Sequence, residues 1–294
     1  MPDATSTSAA LRKAVRGVEG FVLDADGVLF LKGEPIAGSM DALARLDARG
    51  TPYRVVTNYS STHRDTLASR LATRDGVTID PERIITACSS AAAYTADRFA
   101  GRPIVVVAAP DALREFDGQR VLPIADAATS PEGTVAAVVI GDAGDELSYR
   151  TLDVAFRLIR GGAAFLAMHR NPWWLTPAGP TLDSGAAVVG LEYATGTRAV
   201  TLGKPSPVVF RQALAGLRRD LGRRVAAGSV AMVGDDPDAD VRAAQRVGLR
   251  GILVLTGKTS ASDIDGGGRG ASKRARRPPD AIAPSLADVV AALD

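Results

Sequence analysis

The sequence predicts an α/β protein: a parallel, doubly wound core carrying an inserted α/β segment. Short β-branched runs alternate with amphipathic stretches along the 294 residues, the pattern of a parallel sheet with crossover helices. Four of those runs end in residues suited to phosphate or metal chemistry, at the strand ends where open α/β sheets bind ligands. These chemical endings fall before residue 60 and after residue 200. The middle repeats the α/β pattern without them. The core is therefore expected at 1–100 and 196–294 and the insert at 101–195, with crossings at Gly101-Arg102-Pro103 and Thr195-Gly196-Thr197.

Taken in order, residues 1–16 are rich in Ala, Ser and Thr and lack the apolar centre of a signal peptide. They are read as a flexible arm leading into the first helix or strand. The expected strands are Phe21–Leu23, Arg54–Thr57, Ile104–Ala108, Ala136–Ile140, Phe165–Met168, Val200–Leu202, Val230–Val233 and Ile252–Leu255. Ser39–Arg49 places Met40, Leu43 and Leu46 near helical spacing and stops at Gly50, a C-terminal cap. Helices are also expected at Thr62–Thr73, Leu147–Arg160, Pro207–Leu221 and Ala239–Val247, the last ending at Gly248. Residues 265–279 are Gly- and Arg-rich without apolar periodicity and read as a flexible loop.

The net charge of +2 gives no global electrostatic case for nucleic acid or a membrane surface. No apolar run approaches the roughly 18–20 residues that span a bilayer. The single cysteine, Cys88, excludes an internal disulfide and suits a reducing cytoplasm. Neither His63 nor His169 has a partner at metal-ligand spacing.

The chemistry concentrates in four places. Asp24 and Asp26 stand two apart after the first strand, followed by Gly27, which lets the backbone turn. Thr57-Asn58 follows the second strand. Lys204 lies in Gly-Lys-Pro-Ser-Pro, and residues 234–240 read Gly-Asp-Asp-Pro-Asp-Ala-Asp. Carboxylates beside a buried apolar strand are costly unless a cation or a reacting phosphate compensates them. Phosphoryl transfer needs such a set. One carboxylate can be the nucleophile. A second can move protons, worth about 100- to 10,000-fold. A hard cation on oxygen ligands and a lysine offset negative charge, and a hydroxyl with backbone N–H groups can hold the phosphate.

These motifs, in this order, resemble those of the haloacid dehalogenase (HAD) superfamily of aspartate-nucleophile phosphatases. The insert between the second and third motifs resembles the cap of subfamily IIA, the NagD-like branch. Residues 182–196, running into Gly203–Pro207, are similar to the group that contains phospholysine phosphohistidine inorganic pyrophosphate phosphatase. The resemblance covers about residues 18–294, except the 265–279 loop. It implies a Rossmann-like core and a Mg2+-dependent phosphatase acting on a small phosphorylated metabolite through an aspartyl-phosphate. Asp24 would be nucleophile and metal ligand. Asp26 would be general acid and base, with its carbonyl on the metal. Thr57, Asn58 and Lys204 would bind phosphate, Lys204 also neutralising the nucleophile. Asp235 would ligate the metal, with Asp236 and Asp240 behind it. The resemblance also implies a homodimer through the cap. The alternatives are a binding or scaffold protein that kept the fold with little turnover, and a phosphotransferase with an acceptor other than water.

The remaining motifs have simpler readings. Asp238 is expected as a helix cap. Gly141-Asp142 copies the start of the fourth motif, but position 147 is Leu where that motif would place an Asp, so a helix-entry turn explains it. Tyr59 departs from the family pattern at a position that bears on specificity. His169, Asn171, Trp173 and Trp174 lie in the loop region 169–185, where specificity is expected to be set.

Overall fold

In the computed structural model, residues 4–74, 76, 78–176, 179–260, 262 and 277–294 are described. In chain order the strands are β1 Gly20–Asp24, β2 Phe30–Leu31, β3 Glu34–Pro35, β4 Tyr53–Thr57, β5 Ile84–Thr86, β6 Ile104–Val107, β7 Ala137–Ile140, β8 Ala164–Ala167, β9 Trp173–Thr176, β10 Gly179–Leu182, β11 Val200–Thr201, β12 Val230–Gly234, β13 Arg250–Val254 and β14 Ala281–Ala283. By internal contacts the chain divides into two compact units. One is Met1–Thr57, Ala68–Ile84 and Phe210–Asp294, and the other is Asn58–Leu67 and Ile85–Val209.

The first unit is built on a six-stranded sheet of order β14-β13-β12-β1-β4-β5. The pairings of β1 with β12 and β4, and of β13 with β12 and β14, are parallel. From β1 the chain proceeds outward through β4 and β5, then resumes on the other side of β1 with β12. The strand order therefore reverses between β1 and β12, the crevice where doubly wound sheets hold ligands. Phe21, Val22 and Leu23 on β1 and Val230 through Val233 on β12 are fully buried, as continuous apolar runs of a sheet covered on both faces must be. The helix Ser39–Ala48 buries Ala42, Leu43 and Leu46, and Gly50 beyond it takes a positive φ of 63°, as expected of the cap.

The second unit holds a four-stranded sheet of order β11-β8-β7-β6 and a separate antiparallel hairpin of β9 and β10. The first sheet is parallel, and its side chains alternate between two cores. Ile104, Val106, Ala137 and Val139 face one core with the helix Ala87–Arg98. Val105, Val107, Val138 and Ile140 face the other, with Ala155, Ile159, Val188 and Leu191.

This unit is wider than the expected insert 101–195. Ala87, Cys88, Ala91 and Ala92 belong to its core. The 58–67 segment is fastened by Arg64 to Glu115 at 2.7 Å and by Asp111, which accepts from His63 N at 2.9 Å and Thr66 Oγ1 at 3.1 Å.

Two further expectations are corrected. The supposed arm at 1–16 forms a helix, Ala4–Val15, because Leu11, Ala14 and Val15 share one face and bury it against β14. The helix expected at 239–247 is a π-helical turn, Pro237–Arg242, running into a short α-helix, Ala243–Arg246. Residues 265–276 of the expected 265–279 loop lie outside the described residues. Among the described residues no helix is long and apolar enough to cross a membrane.

Candidate active site

Asp24 is the last residue of β1 and pairs in register with Val56 of β4, so Thr57 emerges beside it at the same end of the sheet. On the other side Leu23 pairs with Val233, which carries Gly234 and Asp235 to that end as well. Three adjacent parallel strands thus deliver Asp24, Thr57 and Asp235 together, all buried.

The chain after β1 folds back tightly. Gly27 has φ 79°, donates its N–H to Phe30 O at 2.6 Å, and accepts from Thr256 Oγ1 at 2.5 Å. This turn leaves Asp26 exposed while Asp24 stays buried. The backbone N–H of Ala25 donates to Asp24 Oδ1 at 2.6 Å.

Asp235 is caged by backbone. Its Oδ2 accepts the N–H of Lys258 at 2.6 Å, and its carbonyl accepts from Thr259 Oγ1 at 2.8 Å. A Cβ on either Gly27 or Gly257 would collide with that Oδ2. Both glycines are required by this close approach. Asp236 caps the π-helical turn, its Oδ1 accepting from the N–H groups of Asp238 and Ala239 at 2.9 Å each. Those bonds and the Lys258 ammonium at 3.2 Å hold its carboxyl below the ordinary value, although burial pushes the other way. For Lys258, burial opposes the charge, but Asp236 and then Asp235 and Asp240 hold its pKa above the ordinary lysine value. Asp236 fills the capping role expected of Asp238.

The π-helical turn brings Asp240 back under the strand end, where its Oδ2 accepts from Asp236 N at 3.1 Å. Such turns are frequent at functional sites. Asp24, Asp235 and Asp240 each offer a carboxylate oxygen, and these atoms lie within 4.8 Å of one another. All three are buried. An all-oxygen set of converging buried carboxylates fits a hard divalent cation such as Mg2+. Asp240, expected behind the metal ligands, thus offers an oxygen to the same cluster as Asp24 and Asp235.

Asn58 and Lys204 are in the second unit and hold one another. Asn58 Oδ1 accepts Lys204 N at 2.8 Å, and Asn58 Nδ2 donates to Lys204 O at 3.0 Å. The seat depends on Gly203, whose absent Cβ would stand 2.6 Å from Asn58 Oδ1 and 2.7 Å from Met168 O.

His169, in the region where specificity is expected to be set, is 2% exposed, with Nε2 2.9 Å from Ser60 Oγ. Burial lowers its pKa, against the opposing pull of Asp183 and Asp142. Asn171 is half-buried, while Trp173 and Trp174 on β9 are 58% and 49% exposed.

Gly257 and Lys258 were not among the expected site residues. Their signal was present: Thr-Gly-Lys follows the apolar run Ile252–Leu255, a further strand with a chemical ending.

Residues 21–121 match the family model described as haloacid dehalogenase-like hydrolase, and residues 201–289 match a HAD-hydrolase-like model. The chain is 34% identical to haloacid dehalogenase-like hydrolase domain-containing protein 2 of Bos taurus over 256 residues, 87% of this chain and 90% of the relative. It is 34% identical to phospholysine phosphohistidine inorganic pyrophosphate phosphatase of Homo sapiens over 258 residues, 85% of this chain and 88% of the relative. Among solved structures, a 4-nitrophenylphosphatase of Thermotoga maritima superposes with a TM-score of 0.79 at 26% identity, covering 96% of this chain and 99% of the other. A glycerol phosphate phosphatase of Mycobacterium tuberculosis, in complex with magnesium, gives 0.77 at 28% identity, covering 94% and 77%.

Proposed function

The chain belongs to the haloacid dehalogenase-like hydrolases, and from that premise we propose that it is a Mg2+-dependent phosphatase hydrolysing a small phosphorylated metabolite through an aspartyl-phosphate. The observation that carries this reading is the buried convergence of Asp24, Asp235 and Asp240 beside Thr57 at the switch point of the sheet. The structure of the magnesium-bound relative supports the choice of metal.

Asp24, Asp235 and Asp240 would hold the cation. When bound it offsets the repulsion between carboxylate and phosphate. A carboxylate oxygen of Asp24 attacks phosphorus, and the bond to the leaving oxygen breaks. Asp26 gives that oxygen a proton. Asp26 then takes a proton from water, whose oxygen attacks the phosphorus of the aspartyl-phosphate. Inorganic phosphate leaves and Asp24 is restored. The exposure of Asp26 suits a group that exchanges protons with solvent, while the burial of Asp24 suits one that reacts only with a bound phosphate. The Thr57 hydroxyl and the Asn58 backbone are assigned to the phosphate by the family resemblance, and so is the ammonium of Lys204.

A cytoplasmic setting belongs to the same reading, since the single cysteine, Cys88, is buried and free. The homodimer implied by the resemblance is checked by sedimentation. The test of activity is p-nitrophenyl phosphate turnover with and without Mg2+, alongside Asp24→Asn. Turnover that needs Mg2+ and falls by about three orders of magnitude or more in the variant is expected. Unchanged activity in Asp24→Asn contradicts the mechanism. Mg2+ binding without turnover on a broad phosphate panel points to a binding protein, and phosphorylated alcohols formed in their presence point to a phosphotransferase.

A further inference from the structure

We propose that Lys258 is a built-in counter-cation of the carboxylate cluster, whose ammonium compensates the Asp235-Asp236 turn and so weakens the hold of Asp24, Asp235 and Asp240 on a divalent cation. The divalent cation rests on the phosphatase reading; every residue involved belongs to the first unit.

Lys258 meets the cluster twice. Its backbone N–H donates to Asp235 Oδ2 at 2.6 Å, and its Nζ donates to Asp236 Oδ2 at 3.2 Å. The first bond is made by backbone and survives any change of side chain. The other anchors of the turn are equally independent of the ammonium. Thr259 Oγ1 donates to Asp235 O at 2.8 Å, and Thr256 Oγ1 to Gly27 O at 2.5 Å. Asp236 Oδ1 accepts the N–H groups of Asp238 and Ala239 at 2.9 Å each. The Asp236 carboxylate is therefore held in place by its own turn. The Lys258 side chain is 74% exposed and contributes little packing. What its ammonium adds is charge.

That charge lies in the field of the cluster, since Asp236, Asp235 and Asp240 all act on it. Buried carboxylates that converge within 4.8 Å repel one another, and a nearby positive charge offsets part of the repulsion. By the same Coulomb law that charge repels a divalent cation held by those carboxylates. Removing it leaves the site one unit more negative and the cation more tightly held. A lysine that acted by keeping the turn in shape would have the opposite effect, because its loss would loosen the ligands. The sign of the change separates the two. So does salt, which screens the field of an exposed charge and leaves the shape of a turn alone.

The experiment measures divalent binding by the whole protein without substrate. Free Mn2+ is counted by electron paramagnetic resonance, and Mg2+ affinity is read from competition. The proteins are the wild type, Lys258→Met, Lys258→Gln, Lys258→Arg, Asp236→Asn and the Lys258→Met/Asp236→Asn double variant, with circular dichroism as a check on folding. At about 0.02 M salt both neutral replacements of Lys258 should bind Mn2+ and Mg2+ about three- to tenfold more tightly than the wild type. At about 0.5 M salt the gain should fall to within about twofold. Lys258→Arg keeps the charge and should stay within about twofold of the wild type. Asp236→Asn alone should bind more weakly. The double variant has the net charge of the wild type and should return to within about twofold of it. Without divalent ions Lys258→Met should unfold at lower urea than the wild type, and saturating Mg2+ should close that gap.

Weaker or unchanged divalent binding by the neutral variants overturns the inference, as does a gain that persists undiminished at high salt. The expected binding shifts alongside a wild type inactive on every phosphate overturn the phosphatase reading alone. A wild type whose turnover needs Mg2+, with neutral variants unchanged in divalent affinity, overturns this inference alone. A wild type that binds neither ion overturns both.

Discussion

β7 in the sheet of the second unit and β12 in the sheet of the first both end at Gly-Asp, and the two pairs do different work. After β12, Gly234 lets Asp240 pack against the strand end, where a Cβ would collide with the Asp240 side chain, and Asp235 is buried with Oδ2 on the Lys258 amide. After β7, Gly141 makes room for Met168, and Asp142 is only half-buried, its Oδ1 accepting from Gly144 N at 3.2 Å in a turn. The same dipeptide thus serves a converging carboxylate site in one sheet and a local turn in the other. What separates them is the environment: backbone glycines from two other loops, Gly27 and Gly257, close around Asp235.

The comparison breaks most visibly if the two aspartates are exchanged for asparagine. Asp235→Asn should cut turnover by about a hundredfold or more and raise the Mg2+ concentration needed for half-maximal rate by more than about tenfold. Asp142→Asn should leave turnover within about twofold. A large loss at Asp142, or none at Asp235, reverses the assignment.

A smaller effect sharpens the role of the glycines. Gly257→Ala should lower turnover by about tenfold or more and raise the Mg2+ concentration needed for half-maximal rate, with a retained circular dichroism spectrum, because the new methyl must displace Asp235 Oδ2. Gly141→Ala should instead cost about 1–3 kcal/mol of stability through crowding of Met168, read by urea unfolding, without a change in metal dependence.

The smallest effect on activity is expected at the opposite end of β4. Arg54 is buried there and grips Asp220 with two bonds of 2.6 and 2.8 Å. The hydrogen bond from Arg54 holds the Asp220 carboxyl below its ordinary value. A lowered carboxyl contributes stability above its unfolded pKa and loses it as pH falls through its folded pKa. Asp220→Asn should therefore lower stability to urea at neutral pH by about 1–3 kcal/mol, given the partial exposure of Asp220, and flatten the decline of stability toward acid. Turnover should stay within about twofold. Equal acid sensitivity in the variant would show that this pair does not govern it.

The strands that position the site were legible because they are buried on both faces: an uninterrupted Phe-Val-Leu or Val-Ala-Met-Val needs no alternation to be read. The short β5, Ile84–Thr86, and the helix Ala87–Arg98 were not. That helix buries Ala87, Cys88, Ser89, Ser90, Ala91 and Ala92, small residues that leave little trace of apolar period. The hairpin of β9 and β10 was hidden because its strands present Trp173, Trp174 and Leu182 to solvent rather than alternating inward. That Asp24 and Asp235 stand at neighbouring strand ends was legible from their motifs. The π-helical turn at Pro237–Arg242 was not, because the apolar spacing of that stretch reads as an ordinary α-helix. The enclosure of His169 depends on Ser60, a partner that no spacing in the sequence connects to it.

The most direct test of the account is to trap the phosphoryl group on the enzyme. The protein is mixed with p-nitrophenyl phosphate and Mg2+, quenched in cold acid within a turnover, and its peptides analysed by mass spectrometry. The account predicts a hydroxylamine-sensitive phosphoryl group on the peptide containing Asp24, absent from Asp24→Asn. A phosphoryl group on any other residue, or undiminished turnover in Asp24→Asn without one, would contradict it.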